Sequence, residues 1–359
     1  MLWYYYTKKD LFMRLLVSAL EHSANIHLKS VIEHLGDDIE LVGIFDKNLG
    51  DSIVDLQSLA IMGIVDAVRK LRYFFNLADE MLELAGSVDK VLLIDSSGFN
   101  LPLAKKIKKA YPDKEIIYYI LPQAWAWKRG RIAVLEQTIT KLCSILPFEP
   151  SYYSKNAPIE YVGHPLLDQI KEYKSSINSD IKRVLFMPGS RKGEIKKLMD
   201  IFRETRARLD VEAVLVIPKH FSDSEIAEVY GDISSFIISN DAHAEMIRAD
   251  FGYICSGTAT LEASIVGLPF VLVYVAKRID YIIGRALIKL DYLGLANIMF
   301  SSFKNHSIHL EFIQDSVSVA NLLDAIENID RQKFISNSKE LREYLGSGSS
   351  ARVAEIIRG

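Results

Sequence analysis

Between Phe251 and Tyr274 the sequence leaves the backbone few choices. Phe251-Gly252-Tyr253-Ile254-Cys255 is an apolar run of buried-strand length, Ser256-Gly257-Thr258 is a tight turn, and Ala259 to Val266 has helix composition. Gly267-Leu268-Pro269 stops that helix, and Phe270-Val271-Leu272-Val273-Tyr274 is the next strand. Such a strand–turn–helix–strand unit belongs in a parallel sheet, with the helix N-terminus at the carboxyl end of the first strand. Free N–H groups and the positive end of the helix dipole meet there, so an anion is welcome. Gly257 lets the backbone approach a phosphate, and Ser256 and Thr258 add hydroxyl donors. Glu262, one turn beyond Thr258 on the same face, is placed to accept ribose hydroxyls. Taken alone, a capped helix of any α/β domain explains the segment equally well.

A second loop tips the balance. Val184-Leu185-Phe186-Met187 is another apolar strand, followed by Pro188-Gly189-Ser190-Arg191-Lys192-Gly193-Glu194-Ile195. Gly189 and Ser190 make a tight turn, and Arg191 precedes a helix, where its guanidinium is suited to bidentate hydrogen bonds with a phosphate. Two phosphate-type loops in one stretch of alternating strands and helices favour a nucleotide or sugar-phosphate ligand over two polar turns.

The earlier half of the chain repeats the α/β alternation. Leu11 to Ser18 reads as a first strand and delivers Glu21, His22 and Ser23 to the start of a helix running through His34. Lys90-Val91-Leu92-Leu93-Ile94-Asp95 is a buried strand with Asp95 at its tip, followed by Ser96-Ser97-Gly98-Phe99-Asn100. A carboxylate in that place is either a helix cap or a group facing a ligand crevice. Ile116 to Ile120 leads to Pro122-Gln123-Ala124-Trp125-Ala126-Trp127-Lys128-Arg129-Gly130-Arg131, whose tryptophans and cations suit a sugar face and a phosphate. No G-x-G-x-x-G follows the first strand, which weakens a nicotinamide reading. From Ile61 to Phe75 the pattern is helical and apolar nearly all round, with Arg69, Lys70 and Arg72 in the middle. Periodicity alone favours an ordinary packed helix over an apolar lip at a membrane interface.

Length and composition set outer bounds. The 359 residues suggest two domains, and 49% hydrophobic content fills two cores. We place the domains at 1–170, with about 340–359 crossing back, and at 171–339, the polar stretch Lys171 to Asp180 being the linker. Two cysteines in apolar surroundings imply a reducing compartment without disulfides, and no Cys/His cluster has zinc spacing. A net charge of −3 argues against general nucleic-acid binding. The apolar run Leu11 to Leu20 is short and interrupted by Arg14, so it reads as a strand and not as a signal peptide.

Taken in order, these motifs resemble the lipid-A-disaccharide synthases. The matching stretches are Ser18-Ala19-Leu20-Glu21-His22-Ser23, Ile61-Met62-Gly63-Ile64-Val65, Ile94 to Asn100, Trp125-Ala126-Trp127-Lys128-Arg129, Leu146-Pro147-Phe148-Glu149, Val162-Gly163-His164-Pro165, Pro188 to Arg191, Ser256 to Glu262 and Leu295-Ala296-Asn297. Each is weak alone; their ordered sum is specific. The resemblance implies an α/β fold of GT-B type, two Rossmann-like domains facing across a cleft. It implies an inverting glycosyltransferase that moves 2,3-diacylglucosamine from UDP to the 6-hydroxyl of 2,3-diacylglucosamine 1-phosphate, at the cytoplasmic face of the inner membrane of Gram-negative bacteria. Asp95 is then the first choice for catalytic base, with Glu21 and His22 in reserve. Gly189, Ser190, Arg191, Ser256, Gly257, Thr258, Glu262 and Asn297 are expected on the nucleotide side. Ile64, Val65, Val68, Leu71, Phe74 and Phe75 become the acyl-chain and membrane contact, reversing the reading from periodicity, with Trp127, Arg129 and Asn100 near the acceptor. No cofactor and no metal are expected, since the phosphate donors are fixed and no Asp-x-Asp motif is present. Oligomeric state stays open, a homodimer among the options.

Two departures from the family pattern stand out. Its G-E-x-S-G-D loop is here Leu20-Glu21-His22-Ser23-Ala24-Asn25, so no role carries over to Asn25. Its L-P-N is here Leu295-Ala296-Asn297, which keeps the asparagine in a looser turn. The rival readings are a UDP-sugar epimerase, a GT-B transferase with a non-lipid acceptor, and a non-catalytic carrier of nucleotide sugar or acyl lipid.

Overall fold

The computed structural model describes residues 13–54, 56, 67–126, 128–276 and 291–359, with the side chains of residues 67–71 outside the description. The chain divides into two compact units, Met1–Asp168 with Ser347–Gly359, and Gln169–Gly346.

The first unit is built on six parallel strands: β1 (Met13–Ser18), β2 (Ile39–Ile44), β3 (Lys90–Ile94), β4 (Glu115–Tyr119), β5 (Lys141–Ser144) and β6 (Ile159–Tyr161). Their order across the sheet is β2-β1-β3-β4-β5-β6. The apolar runs are unbroken because helices cover both faces. On β3, Val91 and Leu93 join one core with Leu16, Ile116 and Tyr118, while Leu92 and Ile94 join the opposite core with Val17, Ile117 and Tyr119. The chain leaves β1 toward one edge and β3 toward the other, so the loops after these two strands flank a topological switch point. Open α/β sheets bind ligands in that crevice.

The second unit repeats the plan with β7 (Arg183–Met187), β8 (Glu212–Val216), β9 (Ile237–Ser239), β10 (Phe251–Cys255), β11 (Phe270–Tyr274) and β12 (Leu310–Ile313), in the order β12-β11-β10-β7-β8-β9. Its switch point lies between β7 and β10, which pair in parallel with Ile254 opposite Met187. The two loops singled out in the sequence leave these two strands. Strands β5 and β12, short and partly polar, went unread in the sequence. The apolar stretch Ile279 to Leu290 lies outside the described residues.

The terminal helix Ser349–Arg358 belongs to the first unit. Val353, Ala354 and Ile357 sit in the same core as Leu28 and Val31 of the helix His22–Leu35. Its N-terminus is capped by Asp168, whose two carboxylate oxygens accept from the backbone N–H groups of Gly348 (2.6 Å) and Ser350 (3.0 Å). The Tyr119 hydroxyl meets that of Ser349 at 2.8 Å.

Candidate active site

In the first unit, the turn after β3 is wound left-handed at two consecutive non-glycine residues, Asp95 (φ 50°) and Ser96 (φ 43°). Such a pair is strained by roughly 1–2 kcal/mol per residue and needs outside support. Tyr118 on β4 donates its hydroxyl to the Asp95 carbonyl at 2.7 Å, and the Asn100 amide donates to the same carbonyl at 2.8 Å and to that of Ile94 at 3.1 Å. The Asn100 oxygen in turn accepts from the Ser18 hydroxyl of β1 at 2.6 Å. The Asp95 carboxyl is thereby held half-buried beside the loop after β1. Burial, and secondarily the nearby Glu21 carboxylate, raise its pKa above the ordinary aspartate value. Glu21 is tied to the same turn, accepting from the Ser96 hydroxyl at 3.1 Å. Glu21 and His22 are both exposed at the start of their helix.

The loop after β4 closes on this turn from the other side. Arg131 donates to the Ser97 hydroxyl at 3.3 Å, and the Arg129 guanidinium lies 5.8 Å from the centre of the Tyr152 ring. Trp125 is packed inside, edge-on to Phe148 at 4.8 Å, so it serves the core and not a sugar face.

In the second unit, Gly189 takes a positive φ of 96°, and a side chain there would meet the Cys255 sulfur at 3.2 Å. That close approach of loop to strand tip is why glycine stands at this position. Ser190 and Arg191 are exposed, and Arg191 is the residue preceding the helix Lys192–Ala207. One guanidinium nitrogen of Arg191 is 3.0 Å from Glu194, leaving its other donors available for a ligand. Across the switch point the helix Thr258–Val266 starts behind Gly257 with no side-chain cap, and a Cβ at Gly257 would meet nothing within 4 Å. The exposed Gly257-Thr258 turn and the exposed Arg191 therefore form an uncapped, cationic rim suited to a diphosphate. On the same helix, Glu262 lies 3.3 Å from His243 Nδ1, and burial raises the Glu262 pKa while His243 pulls it back.

Comparison with known proteins decides what such a pair of switch-point sites belongs to. The family model for lipid-A-disaccharide synthetase matches residues 15–357. The chain belongs to the lipid-A-disaccharide synthase family. It is 45% identical over 353 residues to the lipid-A-disaccharide synthase of Helicobacter pylori (strain P12), covering 95% of this chain and 96% of that one. The Campylobacter jejuni (strain RM1221) synthase is 42% identical over 363 residues, with 95% and 98% covered. Among solved structures, MurG of Acinetobacter baumannii superposes with a TM-score of 0.59 at 13% identity, covering 96% of this chain and 99% of that one. The UDP-GlcNAc 2-epimerase of Neisseria meningitidis bound to UDP-GlcNAc gives 0.59 at 10%, covering 97% and 100%. At these identities the likeness is one of fold: the chain is a GT-B-type α/β protein, and as a synthase-family member it is a glycosyltransferase.

Against this synthase frame, two expected ligand contacts move inward. Asn100 is fully buried and its amide is committed to Ser18, Ile94 and Asp95, so it braces the turn instead of meeting the acceptor. Asn297 is likewise fully buried: its oxygen accepts from the N–H groups of Ile308 and His309, and its nitrogen donates to the His309 carbonyl and to Glu311 at 2.7 Å. It supports the corner between the helix Leu295–Lys304 and β12 and presents no free amide to a nucleotide. Asn25, to which no role was given, is buried and welds the loops after β1 and β2 together, donating to the carbonyls of Ala19 and Glu21 and accepting from the Asp46 N–H at 2.7 Å.

Of the apolar lip, Ile64 and Val65 lie outside the described residues, as does Trp127, and Val68 and Leu71 outside the described side chains. Phe74 is half-buried against Phe99 at 5.9 Å, and Phe75 is 56% exposed on the helix Ala67–Ala85. Sequence reasoning missed His243, a lone histidine in a short helix that passes over its neighbours Asp241 and Glu245 and pairs with Glu262 of a later helix. It also passed over Glu194, whose spacing of three from Arg191 was the available signal. Among the described residues no group of three His, Cys, Asp or Glu side chains is arranged to hold a metal ion.

Proposed function

We propose that this chain transfers the 2,3-diacylglucosamine unit of its UDP conjugate to the 6-hydroxyl of 2,3-diacylglucosamine 1-phosphate. The products are the β(1→6)-linked disaccharide 1-phosphate and UDP. What supports the reading is the pair of loops at the β7/β10 switch point, Gly189-Ser190-Arg191 and Ser256-Gly257-Thr258, in a member of the synthase family.

The donor is α-linked and the product β-linked, so C1 inverts once. The acceptor oxygen gives its proton to the Asp95 carboxylate as it attacks C1, and the bond from C1 to the β-phosphate oxygen breaks. The charge gathering on the leaving diphosphate is met by Arg191, the hydroxyls of Ser190, Ser256 and Thr258, and the N-terminus of the helix behind Gly257. Glu262, braced by His243, accepts the ribose hydroxyls. Asp95 is suited to the base role because burial and the Glu21 charge strengthen its affinity for a proton, while the locked turn fixes its direction. Glu21 and His22 remain candidates to share the proton.

Both substrates carry acyl chains, and we place the reaction at the cytoplasmic face of the inner membrane. Among the described residues no helix is long and apolar enough to cross a membrane. The exposed Phe75, at the end of the basic and apolar stretch 61–75 of the sequence, supports attachment to a membrane surface.

Incubating the protein with the diacyl UDP-sugar and the lipid monosaccharide phosphate, then weighing products by mass spectrometry, tests the scheme. A tetra-acylated disaccharide phosphate is expected, with UDP release dependent on the acceptor. Conversion of the donor sugar to an isomer without acceptor would replace transfer by epimerisation, and binding with no turnover would make the protein a carrier.

A further inference from the structure

Glu194 is an acidic side chain inside a site built for anions. It stands in the first turn of the helix Lys192–Ala207, with its side chain only 13% exposed. One carboxylate oxygen accepts from Arg191 Nη1 at 3.0 Å, and the other lies 3.9 Å from the Cys255 sulfur at the tip of β10. The same oxygen sits 3.5 Å from where a side chain on Gly189 would begin. Glu194 therefore touches the loop after β7 and the strand tip before Ser256-Gly257-Thr258, the two sides of the switch point. The Cys255 thiol, whose pKa burial pushes up to about 12, stays protonated and donates weakly toward the carboxylate.

A carboxylate close to a diphosphate site repels the ligand, so its presence calls for a compensating role. Arg191 is a long side chain, 75% exposed and free to explore many rotamers without a tether. Glu194 engages only one edge of the guanidinium, so the remaining N–H groups keep their fork geometry for phosphate oxygens.

We propose that Glu194 is a positioning residue: held beside the Cys255 thiol at the tip of β10, it keeps the Arg191 guanidinium over the paired loops and contributes to nucleoside diphosphate binding only through Arg191. The inference rests on the loop pair being the diphosphate site. UDP itself is the probe, titrated calorimetrically into the wild type, Arg191→Ala, Glu194→Ala, Glu194→Gln and the double alanine variant, each checked for an unchanged melting curve.

Glu194→Ala is expected to weaken UDP about tenfold, the scale of one lost coupling between neighbouring charged side chains. Glu194→Gln, which keeps an oxygen acceptor for Nη1 and drops the repelling charge, is expected to bind at least as tightly as wild type. Glu194→Ala should change nothing further once Arg191 is alanine. In turnover, Glu194→Ala should raise the KM for the donor more than it lowers kcat. Wild-type affinity in Glu194→Ala, alongside weakened binding in Arg191→Ala, overturns the positioning role while leaving the site intact. Equal losses from Glu194→Ala in both Arg191 backgrounds overturn it too, since Glu194 would then act independently of the arginine. Wild-type affinity in Arg191→Ala overturns the assignment of the loops and this inference with it.

Discussion

The side-chain amide of Asn100 donates to the backbone carbonyl of Asp95 at 2.8 Å, 5 residues back along the chain. With Tyr118 on the same carbonyl and Ser18 on the Asn100 oxygen, this bond ties three adjacent strands to the residue proposed as the base. The left-handed pair at Asp95 and Ser96 persists because these bonds over-determine it.

Asn100→Ala should therefore act on catalysis without touching substrate. The variant takes the acceptor from the buried Ser18 hydroxyl and the amide donor from the Ile94 carbonyl, leaving the Asp95 carbonyl to Tyr118 alone, for a loss of about 1–3 kcal/mol of stability. The misdirected carboxylate should lower kcat by roughly 10²-fold, with little change in the KM for either substrate. Denaturant unfolding and steady-state kinetics check the two parts separately. An unaltered kcat in a destabilised protein would show that the turn does not depend on this brace.

The Glu21–Asp95 pair predicts a pH effect whose sign is fixed. Asp95 acts as a base only when ionised, and its raised pKa moves the acid limb of the rate profile upward from the ordinary aspartate range. Part of the rise comes from the Glu21 charge, so Glu21→Gln should shift the acid limb of kcat/KM to lower pH. Burial is the larger cause, so the limb should not return fully to the free aspartate position. Loss of turnover at every pH would move the base role from Asp95 to Glu21.

His243 offers a test of the ribose contact. It lies 3.3 Å from Glu262 and opposes the rise in that carboxyl's pKa caused by burial. In His243→Ala the carboxyl loses both its orienting partner and that opposition. The donor KM should rise about 3- to 10-fold, the scale of one ordinary hydrogen bond, with the KM for the acceptor unchanged. Equal effects on both substrates would place Glu262 elsewhere in the chemistry.

Glu149 carries a stability prediction. It is 1% exposed, its Oε2 accepts from the Ser144 hydroxyl at 2.5 Å, and Oε1 has no partner among the described residues. Burial pushes its pKa up to about 7. A carboxyl raised in this way stabilises the fold below its unfolded pKa of 4.5, and that stability is lost as pH rises through about 7. Glu149→Gln should thus be more stable than wild type at pH 8, by up to ~3 kcal/mol, and nearly equal to it at pH 5. Melting curves at the two pH values decide it, and an unchanged gap would place the ionised carboxylate in a better-solvated setting.

How far the sequence reached depends on the kind of signal. Strands buried on both faces, such as β3 and β10, announce themselves as apolar runs, and the loops behind them follow from glycine and hydroxyl residues at strand ends. Short edge strands such as β12, with Glu311 in its middle, carry no such pattern. Asparagines were the systematic blind spot. Asn25, Asn100 and Asn297 each sit beside a loop at the end of a sheet, and nothing local tells an amide facing a ligand from one bonding backbone inside. Long-range pairs such as His243 with Glu262, and Asp168 with Gly348, are invisible because their sequence spacing follows from the fold alone.

The Asp168 cap is the last such pair and can be tested on its own. Asp168 ends the first segment of its unit, and Gly348 and Ser350 open the returning one, so a single carboxylate joins two stretches 180 residues apart. It also places negative charge at the N-terminus of the helix Ser349–Arg358, where the dipole favours it. Asp168→Ala removes both acceptors and should destabilise that helix by about 1–2 kcal/mol. The helix keeps its apolar seat through Val353, Ala354 and Ile357, and its ion pair from Arg358 to Asp38 at 2.5 Å, so loosening should start from the N-terminal end. Hydrogen exchange should accelerate in a peptide spanning 347–353 and change little in the helix Arg331–Leu345. Unchanged protection at 347–353 would mean that core burial alone docks the returning helix, with the carboxylate a bystander.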